Sequence, residues 1–144
     1  MGKSMRARAI RRSTLIVIVA MLMASAVPML VADVQLTLMA KRHQAVDEIA
    51  QIQAAVRGYY ARYAKYPFAP NNAMLVRLLN GTGPSGNERG ITFITFPASD
   101  YDMRGELLDP WNTPLQLSVT GDGVLHARSA GADTVFGTSD DITN

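Results

Sequence analysis

Residues 13–66 read STLIVIVAMLMASAVPMLVADVQLTLMAKRHQAVDEIAQIQAAVRGYYARYAKY, and the change of character along this stretch decides the fold. Its first part, 13–32, carries no charge over 20 residues. A helix of that length spans about 30 Å, the thickness of a bilayer's hydrocarbon core. Pro28 would kink it, which membrane helices tolerate. After Asp33 the apolar residues recur in steps of three and four, at Val46, Ile49, Ile52/Gln53, Val56, Tyr60 and Tyr63. That spacing draws one stripe on an amphipathic helix. Asp47, Gln51, Arg57, Arg62 and Lys65 fall on the other side. No breaker lies between Pro28 and Gly58, and Pro67 supplies the stop. Residues 14–66 therefore read as one helix, about 80 Å long. Its first half suits lipid, and its second half suits one-sided packing on a small domain.

Charge is distributed in keeping with that reading. Residues 1–12 hold Lys3, Arg6, Arg8, Arg11 and Arg12 and no acid. Residues 100–144 hold eight acids against Arg104 and Arg128. The basic leader places the N-terminus in the cytoplasm, with 13–32 as a single transmembrane pass and 33–144 beyond the membrane. A cleaved signal peptide is the rival, with 14–23 as its apolar core and Ala24-Ser25-Ala26 as its cleavage site. A signal peptide, however, has no need to continue into an amphipathic helix. The formal net charge of the 144-residue chain is only +2, and no basic patch with interleaved aromatics is visible, so nucleic acid is not an expected partner. Cysteine is absent, which excludes disulfides, cysteine-held metals and a thiol nucleophile.

The remainder reads as short elements. Residues 72–79 (NAMLVRLL) suit a helix, with Asn71 or Asn72 as its cap and Asn80-Gly81 as its end. Residues 81–90 form a glycine-rich loop without the Lys-Ser/Thr pair of a phosphate cradle. Residues 91–96 (ITFITF) have strand composition, closed by Pro97. Residues 115–120 and 124–129 alternate across Gly121-Asp122-Gly123, which signals a β-hairpin. Residues 130–144 are a turn-rich tail. The fold class is α+β: a long N-terminal helix on a small antiparallel sheet, with the helix stripe supplying much of the core.

Catalytic chemistry is hard to find. Ser129 sits in HARSAG, which is no nucleophile elbow. His126 has no matched partner and reads as a structural or solvent-facing residue. Asp100, Asp102 and Glu106 read as a solvated loop. No nucleophile, base and stabiliser converge, so an enzyme is not expected. The tail differs: Asp133, Asp140 and Asp141 fall within nine residues, separated by a glycine-containing loop. Calcium takes six to eight oxygens from such loops, although the spacing is not that of an EF-hand. A polar turn with scattered acids is the plainer alternative.

Four features together resemble a known family. They are the hydrophobic helix running into an amphipathic one; Tyr59-Tyr60-Ala61-Arg62-Tyr63-Ala64-Lys65-Tyr66-Pro67; Leu108-Asp109-Pro110-Trp111-Asn112-Thr113-Pro114; and the tail Ser129-Ala130-Gly131-Ala132-Asp133 followed by Asp140-Asp141-Ile142. The sequence looks like a major pseudopilin of the type II secretion system, the general secretion pathway protein G, within the type IV pilin-like superfamily. The resemblance implies a pilin-like fold and a structural role in a secretion or pilus-like machine. It implies assembly through the N-terminal helix with copies of itself or other pseudopilins, and contact with inner-membrane components and lipid. It also implies calcium held by Asp133, Asp140 and Asp141, with backbone carbonyls near Ala130 and Val135. Asp109, Pro110 and Trp111 are then structural. The processing motif departs from the family's: Arg12 stands for its glycine, Ser13 for its phenylalanine and Val17 for its glutamate, while Thr14-Leu15-Ile16 match. Two further readings therefore stay open, an uncleaved accessory membrane protein and a periplasmic calcium-binding domain released after Ala26.

Overall fold

The computed structural model describes residues 33–144 with their side chains, apart from 84–85, and for 2–32 only a helical backbone. The leader 1–12 and the membrane span expected at 13–32 lie outside the residues so described. Among the described residues no helix is long and apolar enough to cross a membrane. Helix α1 runs Gly2–Tyr63, α2 runs Asn72–Leu79, and strands β1 (Gln116–Val119), β2 (Leu125–Ser129) and β3 (Ile142–Thr143) follow. The chain divides into two compact units, Met1–Met39 and Ala40–Asn144. The second is the globular unit described here.

Its core is one continuous apolar cluster. Part of α1 contributes Ala45, Ile49, Ile52, Ala55, Val56 and Tyr59, and α2 contributes Leu75, Val76, Leu78 and Leu79. The sheet adds Leu125, Ala127 and Ile142, and the segments before it add Phe96, Leu107 and Leu115. The expected helix stripe is thus present but turned. Ile49, Ile52 and Val56 are buried as expected, whereas Val46 is 48% exposed and Tyr60 44%. Ala45 and Tyr59, each one residue earlier, take their places. One residue is 100° around a helix, so Val46 and Tyr60 lie on the flank of the stripe rather than in it. Tyr60 instead stacks on Tyr66, with ring centroids 4.4 Å apart.

Helix α1 ends at Tyr63, three residues short of the expected 66, because Ala64 turns to a positive φ of 50°. Beyond it Tyr66 and Pro67 fold back onto the domain. The Tyr66 ring lies over Gly123 in the β1–β2 turn, where an added Cβ would overlap it. Gly58 serves a similar end on α1 itself: its missing side chain lets Phe93 approach, and Phe93 meets Tyr59 edge-on at 5.6 Å.

Helix α2 has the expected bounds, with Asn71 Oδ1 accepting from the Met74 N–H at 2.9 Å as its cap. Asn72 is buried, and its amide is a cross-link. It donates to the carbonyls of Leu107 (3.0 Å) and Leu115 (2.9 Å) and accepts from the Leu107 N–H (3.0 Å). The hairpin forms as expected, with Gln116 opposite Arg128 and Val119 opposite Leu125. Its alternation puts Leu125, Ala127 and Ser129 inward and leaves His126 in solvent.

One expectation fails and one is extended. Residues 91–96 are not a strand. Their backbone groups are taken up elsewhere: the Phe93 N–H donates to Leu79 O, while Asn87 both accepts from the Ile91 N–H and donates to the Ile91 carbonyl. The segment is pinned to the end of α2, and no ladder partner is left for it. The tail is turn-rich as read, and its end also contributes β3, which pairs antiparallel with β2.

Candidate functional site

The first polar centre is the turn at 109–113. Asp109 is only 4% exposed. Its Oδ1 accepts from the N–H groups of Trp111 and Thr113, both at 2.9 Å, and its Oδ2 accepts from the Ser129 hydroxyl at 2.6 Å. The backbone closes the same turn, Asp109 N–H to Thr113 O and Asn112 N–H to Asp109 O, with Asn112 at φ 65°. One carboxylate thereby holds its own turn and ties it to the end of β2. Ser129, fully buried, also accepts from the Gly131 N–H at 3.2 Å. The family resemblance marked Asp109 as structural, but nothing pointed to Ser129 as its partner, because 20 residues separate them. The arrangement is structural: the hydroxyl is shut away from solvent and bonded to a carboxylate.

From Gly131 the chain enters the acidic loop. A side chain at Gly131 would overlap Asp140, so the glycine allows the loop to close on itself. Asp140 Oδ2 accepts from the Asp133 N–H at 3.0 Å, and Asp140 Oδ1 accepts from the Thr138 hydroxyl at 2.6 Å. The Thr138 hydroxyl first, and then the Asp133 N–H, hold the Asp140 carboxyl below its ordinary pKa. Asp133 Oδ1 accepts from the Val135 N–H, and Asp141 Oδ2 accepts from the Gly137 N–H, both at 2.8 Å. Arg128 forms an ion pair with Asp141. Asp141 Oδ1 is buried without a partner.

The loop thus brings Asp133 to Asp140 through a main-chain bond and turns Asp141 toward Arg128. Ala130 is buried at the loop's root, and Val135 is exposed, its carbonyl accepting from the Thr138 hydroxyl at 3.2 Å. Among the described residues no three acidic, imidazole or thiol groups gather as a metal-binding cluster. The other acids counted as a solvated loop hold a turn: Asp102 accepts from the N–H groups of Arg104 and Glu106, and Arg104 bridges to both carboxylates.

A third polar feature was not legible in the sequence. Glu48 lies on α1 inside the buried stripe and is 7% exposed. Oε1 accepts from the Gln44 amide at 2.8 Å, while Oε2 is buried without a partner. Burial raises its carboxyl pKa, Asp100 and Asp109 push the same way, and the Gln44 bond opposes them. The unfolded chain therefore releases this proton first as pH rises, so ionising Glu48 works against folding above the ordinary carboxylate pKa.

The Asp109–Ser129 bond yields a direct prediction. Asp109→Ala should cost about 3 kcal/mol in urea unfolding and Ser129→Ala about 1–2 kcal/mol, since each strands buried polar groups. In the Asp109→Ala background the serine change should cost at least about 1 kcal/mol less, because its partner is already gone. Simple additivity of the two changes would contradict the coupling.

The profile of the type II secretion system protein G family matches residues 34–144. The chain therefore belongs to that family. Among solved structures it is similar to the major pseudopilin from the type 2 secretion system of enterohaemorrhagic Escherichia coli, at 23% identity and a TM-score of 0.48, covering 75% of this chain and 85% of that one. No curated protein sequence matches significantly.

Proposed function

We propose that this member of the type II secretion system protein G family is a structural, inner-membrane-anchored subunit that works by assembly rather than turnover. Its partners are further copies of itself or other pseudopilins, met through the N-terminal helix, together with inner-membrane components of the machine and membrane lipid. The observation that carries the reading is α1: one helical segment, Gly2–Tyr63, joins the uncharged stretch 13–32 to the stripe that builds the core of the globular unit. An apolar segment made continuous with a folded domain suits an anchor that must also transmit packing to its neighbours.

The mature N-terminus of the protein from fractionated native membranes tests this. A membrane-bound chain starting at Ser13 supports a processed filament subunit despite Arg12. A membrane-bound chain that keeps residues 3–12 supports an uncleaved accessory anchor. A soluble chain starting at Val27 overturns the assembly reading in favour of a released periplasmic domain.

Calcium at the closing loop is the second part of the proposal. Asp133, Asp140 and Asp141 would hold the ion, with carbonyls near Ala130 and Val135, and its charge would offset their mutual repulsion. The unpartnered Asp141 Oδ1 and the closure of the loop over Gly131 support it. A competing reading rests on Arg128, whose guanidinium already faces Asp141 and could close the loop without a metal. The two separate in thermal melts of the full chain with calcium or chelator. Calcium at 100 times its dissociation constant should stabilise by about 2.7 kcal/mol, and Asp133→Ala should remove that gain. Indifference to calcium, with a large loss in Arg128→Ala, would favour the arginine.

A further inference from the structure

The fold gives Glu48 little support as an anion. The side chain is buried on α1, one residue before Ile49 of the core cluster. Oε1 accepts from the Gln44 amide at 2.8 Å, whereas Oε2 is shut off from solvent and has no partner. Burying a carboxylate without a full set of donors costs far more than burying the neutral acid. The surroundings add to that cost. Glu48 lines a groove of about 470 Å³ together with His43 and Asp47 of α1 and with Asp100 of the facing segment. Asp109, in the turn before β1, acts on the same carboxyl. Three acids against one imidazole leave the surroundings of Glu48 predominantly negative. Burial first, and then Asp100 and Asp109, raise its carboxyl pKa against the opposing Gln44 bond.

The facing wall of the groove is formed by Thr95, Phe96, Pro97 and Asp100. Phe96 belongs to the same buried cluster as Ile49, Ile52 and Val56. Among the described residues no hydrogen bond joins 95–100 to α1: the Asp100 N–H turns back to Pro97 O, and the Ser99 hydroxyl bonds to Asp100. Packing, without a hydrogen bond across the gap, holds this segment on the helix.

We propose that the folded domain keeps Glu48 as its neutral acid and that loss of this proton loosens residues 95–100 from α1, a proton-sensitive clasp at the rim of the core. An ionised Glu48 regains hydration only if water enters the groove, and the wall free to give way is the one held by packing. The clasp is therefore closed in acid. As pH rises above the ordinary carboxylate range the closed form loses stability, and the loss levels off once Glu48 is ionised in the folded state as well. A protonated His43 would set a cation among Asp47 and Asp100 and favour closure too, so substitution must separate the two groups. The clasp belongs to the globular unit and does not depend on whether the chain assembles.

Native-state hydrogen exchange of the full chain in detergent micelles, corrected for intrinsic exchange, tests the clasp at about pH 5 and about pH 8. The amides of Phe96, Ser99 and Asp100 should open at least about fivefold more often at the higher pH, relative to those of Ile52 and Val56. Glu48→Gln cannot ionise, so it should match the parent in acid and lose the pH response, whereas His43→Gln should keep most of it. Carbon-13 NMR of the parent should show the Glu48 carboxyl titrating above the ordinary range, a reading that decides even where a variant fails to fold. A local pH response that survives in Glu48→Gln or vanishes in His43→Gln would overturn the proposal. So would a Glu48 carboxyl that ionises at or below the ordinary carboxylate value. If Glu48→Gln is more stable than the parent at the higher pH while 95–100 open no more often than the helix, ionised Glu48 burdens the whole fold and there is no clasp.

Discussion

The globular unit depends on burying one stripe of α1. Its strands are four, five and two residues long, too short to enclose a core among themselves. Ile49, Ile52, Val56 and Tyr59 share one buried apolar cluster with Leu125, Ala127 and Ile142. Fully burying such a side chain is worth about 1.5–3 kcal/mol, and an isolated hairpin of this size is at best marginal in water. The helix is therefore part of the domain's interior as well as its connection to the segment before it.

Around that stripe, buried side-chain polar groups do work that longer strands would otherwise do. Asn72 joins α2 to the carbonyls of Leu107 and Leu115. Asn87 fixes the segment after α2, donating to Leu78 O and accepting from the Tyr63 hydroxyl. Asp109 fixes the turn before β1 and, through Ser129, the end of β2. Each satisfies several main-chain groups that irregular backbone would leave orphaned. These residues let a chain with little regular sheet keep its buried amides paired.

What the sequence made legible follows from the range of each signal. The continuous helix, the α2 cap at Asn71 and the Gly121-Asp122-Gly123 hairpin depend on neighbours within a few residues, and each was readable. Residues 91–96 misled because composition reports strand preference, whereas the outcome was set by distant groups, Leu79 O and the Asn87 side chain. The stripe was read one residue off at Val46 and Tyr60 because apolar character alone does not distinguish the centre of a face from its flank. The small Ala45 at the true centre carries little hydropathic signal. Glu48 was not legible as a buried carboxylate, since an acid within a helix reads as surface until packing shows it buried. In the tail the three aspartates were evident, but the pairing of Asp141 with Arg128 depends on the register of β2 and β3.

The buried stripe and the polar clamps together describe a domain whose fold draws on α1 as much as on its sheet. The claim beneath this is that α1 and the sheet form one cooperative structure. Native-state hydrogen exchange of the full chain tests it most directly. The account predicts that amides across residues 49–59 and those of β2 open with the same free energy, equal to that of global unfolding. Persistent protection of β2 while the helix amides exchange through a lower-energy opening would contradict it.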